Sequence, residues 1–234
     1  ICLISLAGPV AGQPVGSSND IHKFIPGSVP VNSQNWEIFR DPVSGYVYFA
    51  NSAGLIEYNG ITARTYAVPY TQGVRSVYVN SDGVIFTGSY EDFGYWSKDR
   101  SGILSYTSLA SGAGVARNDE IWNISEIGHT LYFQSFTSVY IYDYNVVKRV
   151  AAPSSMLFFF RVGDRFIAQA IDQGLYWFDG SAFDFIEGSE IFASHKVHAL
   201  IEFSPGEMWI CTSNDGIYVF DGAGFRYLDS EISG

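Results

Sequence analysis

The side chains able to do chemistry fall into three sets. Glu91 and Asp92 are adjacent carboxylates, the raw material of general acid–base work. Successive residues of a strand point to opposite faces, so the two would not converge on one bond. They are expected instead on an exposed connection, forming a rim with Tyr90. His195 and His198 stand three apart in a loop-to-strand setting without Cys or carboxylate companions, and His22 and His129 are scattered. No metal site is expected from them. The third set is aromatic and basic: Trp36, Arg75, Trp122, Phe158 and His198. Rings offer stacking faces while Arg and His offer oriented donors, the equipment a sugar or aromatic acid would use. The alternative is that these residues are core. That suits Trp36, Trp122 and Phe158 better than Arg75 and His198, because burying a charge without a partner is costly. No Ser/His/Asp order and no Gly-rich phosphate loop is present, so no catalytic residue is assigned and no cofactor is expected.

What must position the third set is a repeat. Five segments share one pattern: Gly or Ser, alternating apolar and aromatic residues, then Asp or Asn. They begin at Gly54, Gly94, Ser138, Gly174 and Gly216, with spacings of 40, 44, 36 and 42 residues. The clearest copies are Gly174-Leu175-Tyr176-Trp177-Phe178-Asp179-Gly180 and Gly216-Ile217-Tyr218-Val219-Phe220-Asp221-Gly222. Within the first repeat, strands are expected at Trp36–Arg40, Tyr46–Ala50, Leu55–Tyr58 and Ile61–Tyr66, separated by Asp-Pro-Val-Ser-Gly, Asn-Ser-Ala-Gly and Asn-Gly turns. No stretch sustains an apolar period of 3.6 residues, so little or no helix is expected. Four strands per ~40 residues make the blade of a β-propeller. The fold class is therefore all-β: a propeller of four-stranded antiparallel blades, about five of them, read as an incomplete ring of seven with an open last edge. Aligning the first strands on Ile38, Val77, Ile124, Phe160 and Leu200 puts the third set at one equivalent position, two residues earlier, where it should ring one mouth of the central channel. Glu57 and Arg64 are expected to be a solvated cross-strand pair.

Composition narrows the function classes. The chain has 234 residues, 17% aromatic and only 16% charged, which suits packed sheets rather than disorder. A net charge of −11 and an isoelectric point near 4.6 argue against nucleic acid and against anionic membrane surfaces. The two cysteines, Cys2 and Cys211, are too few for a disulfide framework. Residues 1–15 are apolar and end in small residues, as the remnant of a secretory signal peptide would, with an N-terminal strand or buried tail as the alternative. Residues 16–32 are expected to be a linker or N-terminal strand, and 33–234 the propeller. Its blades should lie at about 33–70, 71–110, 118–152, 155–190 and 195–230.

The repeats also carry a resemblance. Tyr48-Phe49-Ala50-Asn51-Ser52-Ala53-Gly54-Leu55-Ile56-Glu57-Tyr58-Asn59-Gly60 is similar to the first blade of the two-component regulator propeller repeat. Val74-Arg75-Ser76-Val77 with Gly88-Ser89-Tyr90-Glu91-Asp92-Phe93-Gly94-Tyr95-Trp96 resembles its second. That family builds periplasmic sensor portions of Bacteroidetes transmembrane regulators, and the likeness runs from about Ser33 to Leu228. The second-blade string looks most like the branch with a LuxR-type helix-turn-helix output, the hybrid histidine-kinase branch being close behind. Both continue with further blades, a triple-tyrosine β-sandwich, a membrane helix and a cytoplasmic output. The resemblance implies an exported, periplasmic, non-enzymatic sensor domain of an inner-membrane protein. It would respond to an oligosaccharide or other small ligand within a homodimer, control transcription without touching nucleic acid itself, and reach the membrane only through a downstream span. A non-catalytic scaffold and a carbohydrate-active propeller enzyme are the alternatives. Against the enzyme, Ser204-Pro205-Gly206-Glu207-Met208-Trp209 lacks the Asp and Thr of the sialidase Asp box. The third copy departs from the pattern with Ser138 in place of Gly, and the fourth with Ile171-Asp172-Gln173 before Gly174.

Overall fold

The computed structural model describes residues 32, 34–69 and 73–228, so the expected signal remnant and all but the last residue of the expected linker lie outside the described residues. The described residues form two compact units: those up to Tyr90 with Gly94–Thr107, and Glu91–Phe93 with Ser108–Leu228. Among the described residues every sheet is four-stranded, antiparallel and in sequential order. The first unit carries blade one, with β1 (Asn35–Arg40), β2 (Val47–Asn51), β3 (Gly54–Tyr58) and β4 (Ala63–Tyr66). It also carries most of blade two, with β5 (Ser76–Val79), β6 (Ile85–Gly88), β7 (Phe93–Lys98) and β8 (Leu104–Ser108). The second unit holds three blades. Blade three is β9 (Ile121–Ile127), β10 (Thr130–Ser135), β11 (Ser138–Tyr142) and β12 (Val147–Ala151). Blade four is β13 (Met156–Val162), β14 (Arg165–Ala170), β15 (Gly174–Phe178) and β16 (Phe183–Phe185). Blade five is β17 (Val197–Ser204), β18 (Glu207–Thr212), β19 (Ile217–Phe220) and β20 (Phe225–Tyr227). The sole helical element among the described residues is one 3-10 turn, Ser189–Phe192.

The repeat's fixed residues have local reasons. Its Asp or Asn closes the turn between the third and fourth strands by accepting backbone N–H groups two and three or four residues ahead. Asn59 accepts from Ile61 and Thr62, Asp99 from Ser101 and Ile103, Asp143 from Asn145 and Val146, Asp179 from Ser181 and Ala182, and Asp221 from Ala223 and Gly224. The opening Gly is required by close approach. At Gly54, φ is +135° and a Cβ would sit 2.2 Å from the Tyr66 carbonyl oxygen; at Gly174, φ is +136° and it would sit 2.7 Å from that of Ser189. Ser138 fills this place in blade three without a left-handed φ, buried beside a hub built on Asp119. The Asp119 carboxylate accepts from the hydroxyls of Ser135 and Thr137 and from Phe136 N–H, and Ser135 Oγ in turn accepts Ser138 N–H at 3.0 Å.

Alternation on each strand then presents apolar faces to the neighbouring blade. In the first unit Tyr48, Leu55, Val77, Ile85, Trp96 and Leu104 pack together, and Trp96 Nε1 donates to Thr87 Oγ1 at 2.8 Å. In the second unit Phe159, Phe166 and Phe178 form one cluster with Val139 and Met156, while Ile167, Leu175, Phe192, Val197 and Ile210 form another.

Candidate functional site: a repeated bulge on the first strands

The first strand of each blade is an edge strand, paired on one side only. Four of the five are interrupted by a β-bulge at the same place. In blade one the ladder passes from Asn35↔Asn51 to Glu37↔Ala50, leaving Trp36 as the extra residue. In blade three it passes from Ile121↔Ser135 to Asn123↔Gln134, leaving Trp122. In blade five it passes from Val197↔Thr212 to Ala199↔Cys211, leaving His198. Blade two reaches the same arrangement by other means: Ser76 pairs with Gly88, and Arg75 N–H also donates to the Gly88 carbonyl at 2.8 Å. A bulged residue has no ladder partner, so its side chain is re-aimed relative to the pleat.

Blade four corrects the sequence alignment. There the ladder passes from Met156↔Ala170 to Phe158↔Gln169, so the bulged residue is Leu157 and Phe158 is the paired residue after it. Alignment on Phe160 ran one residue out because a bulge inserts a residue without leaving a mark in the apolar alternation. The equivalent set is therefore Trp36, Arg75, Trp122, Leu157 and His198.

In the first unit the structure brings two of these together. The Arg75 guanidinium carbon lies 4.4 Å from the centroid of the Trp36 ring, a cation–π contact, and Trp36 Nε1 donates to Ser52 Oγ at 3.0 Å. Both side chains are half-buried. In the second unit Phe158 and His198 meet edge to face at 5.6 Å, whereas Trp122 has Phe136 as its ring neighbour at 5.5 Å. Nδ1 of His198 is enclosed and makes no hydrogen bond. A buried polar atom left open in this way is uncommon enough to need a reason.

The two carboxylates of the expected rim are hydrogen-bonded within their loops. Glu91, at a left-handed φ of 57°, accepts Asn118 N–H at 2.6 Å, and Asp92 accepts Phe93 N–H and the Ser108 hydroxyl. Both carboxylates thus close loops. Two further expectations are corrected. His195 does have a carboxylate companion, its Nε2 lying 3.4 Å from Asp215 Oδ2. Glu57 does pair in register with Arg64, but it is buried, and its carboxylate turns to Lys98 Nζ at 2.8 Å instead of sharing a solvated pair. Sequence reasoning missed this because Lys98 comes from blade two. Among the described residues no group of three or more His, Cys, Asp and Glu is placed to hold a metal ion. The thiol of Cys211 is free and half-buried, with its pKa raised by burial. No described helix is long and apolar enough to cross a membrane.

No family model and no curated protein matches the chain. Solved structures do. The extracellular domain of one hybrid two-component system from B. thetaiotaomicron matches with a TM-score of 0.59 at 17% identity, over 88% of this chain and 29% of that one. A second from the same organism gives 0.53 at 13% identity, over 79% and 26%. Virginiamycin B lyase from Staphylococcus aureus gives 0.58 at 11%, over 86% and 73%. The fold is thus that of the propellers in these proteins, including the sensor ectodomains that the repeats resemble. The chain spans less than a third of the length of those two ectodomains. One of the three is a lyase, so the shared fold does not by itself choose an activity.

Proposed function

We propose that this chain is the ligand-sensing propeller portion of an exported, membrane-anchored regulator, non-catalytic in itself and responsive to a small ligand of the carbohydrate class. The observation that carries this is the repeated irregularity of the first strands, a bulge at Trp36, Trp122 and His198 and a shared carbonyl at Arg75, which puts these residues at one equivalent position on edge strands. Bulges at such positions serve to aim side chains, and in the first unit a cation on an indole supplies a stacking face with oriented donors. The fold shared with the sensor ectodomains supports the setting: a periplasmic domain of a longer protein that passes its state across the inner membrane. To signal, the ligand must bind one of two states more tightly, since equal affinity shifts nothing.

The test is a ligand screen by thermal unfolding, followed by Arg75→Ala. A ligand at about 100 times its Kd should stabilise the chain by about 2.7 kcal/mol. Arg75→Ala should abolish that stabilisation, and ligand-dependent signalling in the intact regulator, while leaving the fold unchanged. Normal signalling by this variant would sink the bulge-residue site. A scaffold would instead show no ligand-induced stabilisation yet capture a defined partner, and an enzyme would turn over an oligosaccharide.

A further inference from the structure

We propose a second ligand site, independent of the bulge residues: the cleft between blades one and two of the first unit binds a small hydroxylated carboxylate, anchored by Arg64. The cleft has a volume of about 300 Å³. Tyr46, Glu57, Thr62 and Arg64 line one side, and Lys98 and Ser101 the other.

Its charges are unevenly matched. The Glu57 carboxylate forms the inner wall, with its side chain only 8% exposed. It is satisfied by Lys98 Nζ at 2.8 Å and by the Tyr48 hydroxyl at 3.3 Å. Lys98 also lies over Tyr46, its Nζ 4.8 Å from the ring centroid, so this ammonium is held on two sides. Arg64 stands opposite Glu57 in the β3–β4 ladder, yet its guanidinium has no ion-pair or hydrogen-bond partner among the described residues. The carboxylates near Lys98 are engaged in their own turns. Asp99 accepts from Ser101 and Ile103, and Asp41 from Val43 and the Ser44 hydroxyl. The cleft lining therefore carries one cation in excess within a chain of net charge −11.

The chemistry of a complementary ligand follows. A guanidinium with its donors open matches the paired oxygens of a carboxylate. Of the lining hydroxyls, those of Ser101 and Thr62 already spend their protons inward, on Asp99 and Asn59, so what these two offer to the cleft is acceptor lone pairs. Lone pairs call for ligand hydroxyl donors. The volume is at the small end for ligand pockets and suits a molecule of monosaccharide size.

D-glucuronate tests this against D-glucose, which has a similar ring and no charge, using the full chain, calorimetry and amide chemical-shift mapping. Glucuronate should bind saturably and shift the amides of Thr62, Arg64, Ser101 and Gly102, and glucose should bind about tenfold or more weakly. Arg64→Ala should lose about tenfold or more in affinity while keeping the unliganded unfolding temperature, because Arg64 is exposed and unpartnered; Arg64→Lys should recover part of the loss. Equal binding of glucose, undiminished binding by Arg64→Ala, or no binding by the wild type would overturn the proposal. So would shifts confined to the first strands, an outcome that would speak for the bulge-residue site instead.

Discussion

The two units hold their blades together with different chemistry at equivalent seams. In the first, the residue after the bulge is Glu37, whose carboxylate reaches the next blade and accepts Val77 N–H at 2.8 Å; farther out, Glu57 and Lys98 form an ion pair. In the second, the residue after the bulge in blade three is Asn123, which donates to the Phe159 carbonyl at 3.1 Å. Between blades four and five the link is Gln169, which accepts Val197 N–H at 2.9 Å and donates to the carbonyls of Phe192 and His195. Arg161 adds a guanidinium bond to the Glu126 carbonyl. Amides and guanidinium do not change charge near neutrality, whereas a buried carboxylate does. The repeat specifies that a polar side chain crosses the seam and leaves open whether that side chain titrates. Of these seam side chains, those of the first unit include carboxylates and those of the second do not.

The comparison breaks most visibly at Gln169. It is buried, and Gln169→Ala would leave Val197 N–H and the Phe192 and His195 carbonyls without their partner at once. Each unsatisfied buried group costs about 1–3 kcal/mol, so the second unit should lose roughly 3 kcal/mol or more. Hydrogen exchange at the Val197 amide would read the change. A loss under about 1 kcal/mol would mean that water replaces the amide and that the seam is not held by it.

Glu37 sharpens the contrast. Burial raises its pKa from 4.5 to about 7, against the lowering effect of the Val77 N–H bond. Because the folded pKa exceeds the unfolded one, the folded state holds the proton more tightly. No cost is present below pH 4.5; the cost grows as the pH rises to about 7 and is constant above that. The span is worth at most ~3 kcal/mol of first-unit stability. Denaturant titrations at several pH values should show this fall in the wild type and its loss in Glu37→Gln, with the second unit unaffected in both. A wild-type profile that stays flat between pH 4.5 and 7 would remove the distinction between the units.

Much of this frame was legible because it is local. The turn-closing Asp or Asn and the strand alternation act within a few residues of themselves, and the crowded Gly within its own repeat, so the repeat displayed them, and the strands around Trp36, Tyr46 and Leu55 fell within a residue of expectation. Ladder register and partner choice across a seam are not local. The bulge that makes Leu157 rather than Phe158 the equivalent of Trp36 appears only when β13 is set against β14. The partner of Glu57 lies in another blade, and the alternation that put Arg64 opposite it could not reveal Lys98. Candidate residues were thus found by type and approximate place, and their partners only by structure.

The smallest effect tests what the units share. All five turns between third and fourth strands use the same side-chain acceptor, but blade one has Asn59 where blade four has Asp179. Hydrogen bonds from Ser181, through its hydroxyl and N–H, and from Ala182 N–H hold the pKa of Asp179 below its ordinary value. A depressed carboxylate pKa contributes stability that is present above the unfolded value of 3.8 and is lost as the pH falls through the folded one. Asn59→Ala should therefore weaken its hairpin by about 0.5–1 kcal/mol at any pH, as expected for a solvent-exposed acceptor. Asp179→Ala should weaken its own hairpin most at neutral pH and less in strong acid, where the protonated carboxyl keeps only a neutral acceptor like that of Asn59. Local hydrogen exchange at Thr62 and Ala182 would separate the two. If the effect of Asp179→Ala persisted unchanged at acid pH, the neutral geometry of the turn, rather than the charge on its acceptor, would be what both units conserve.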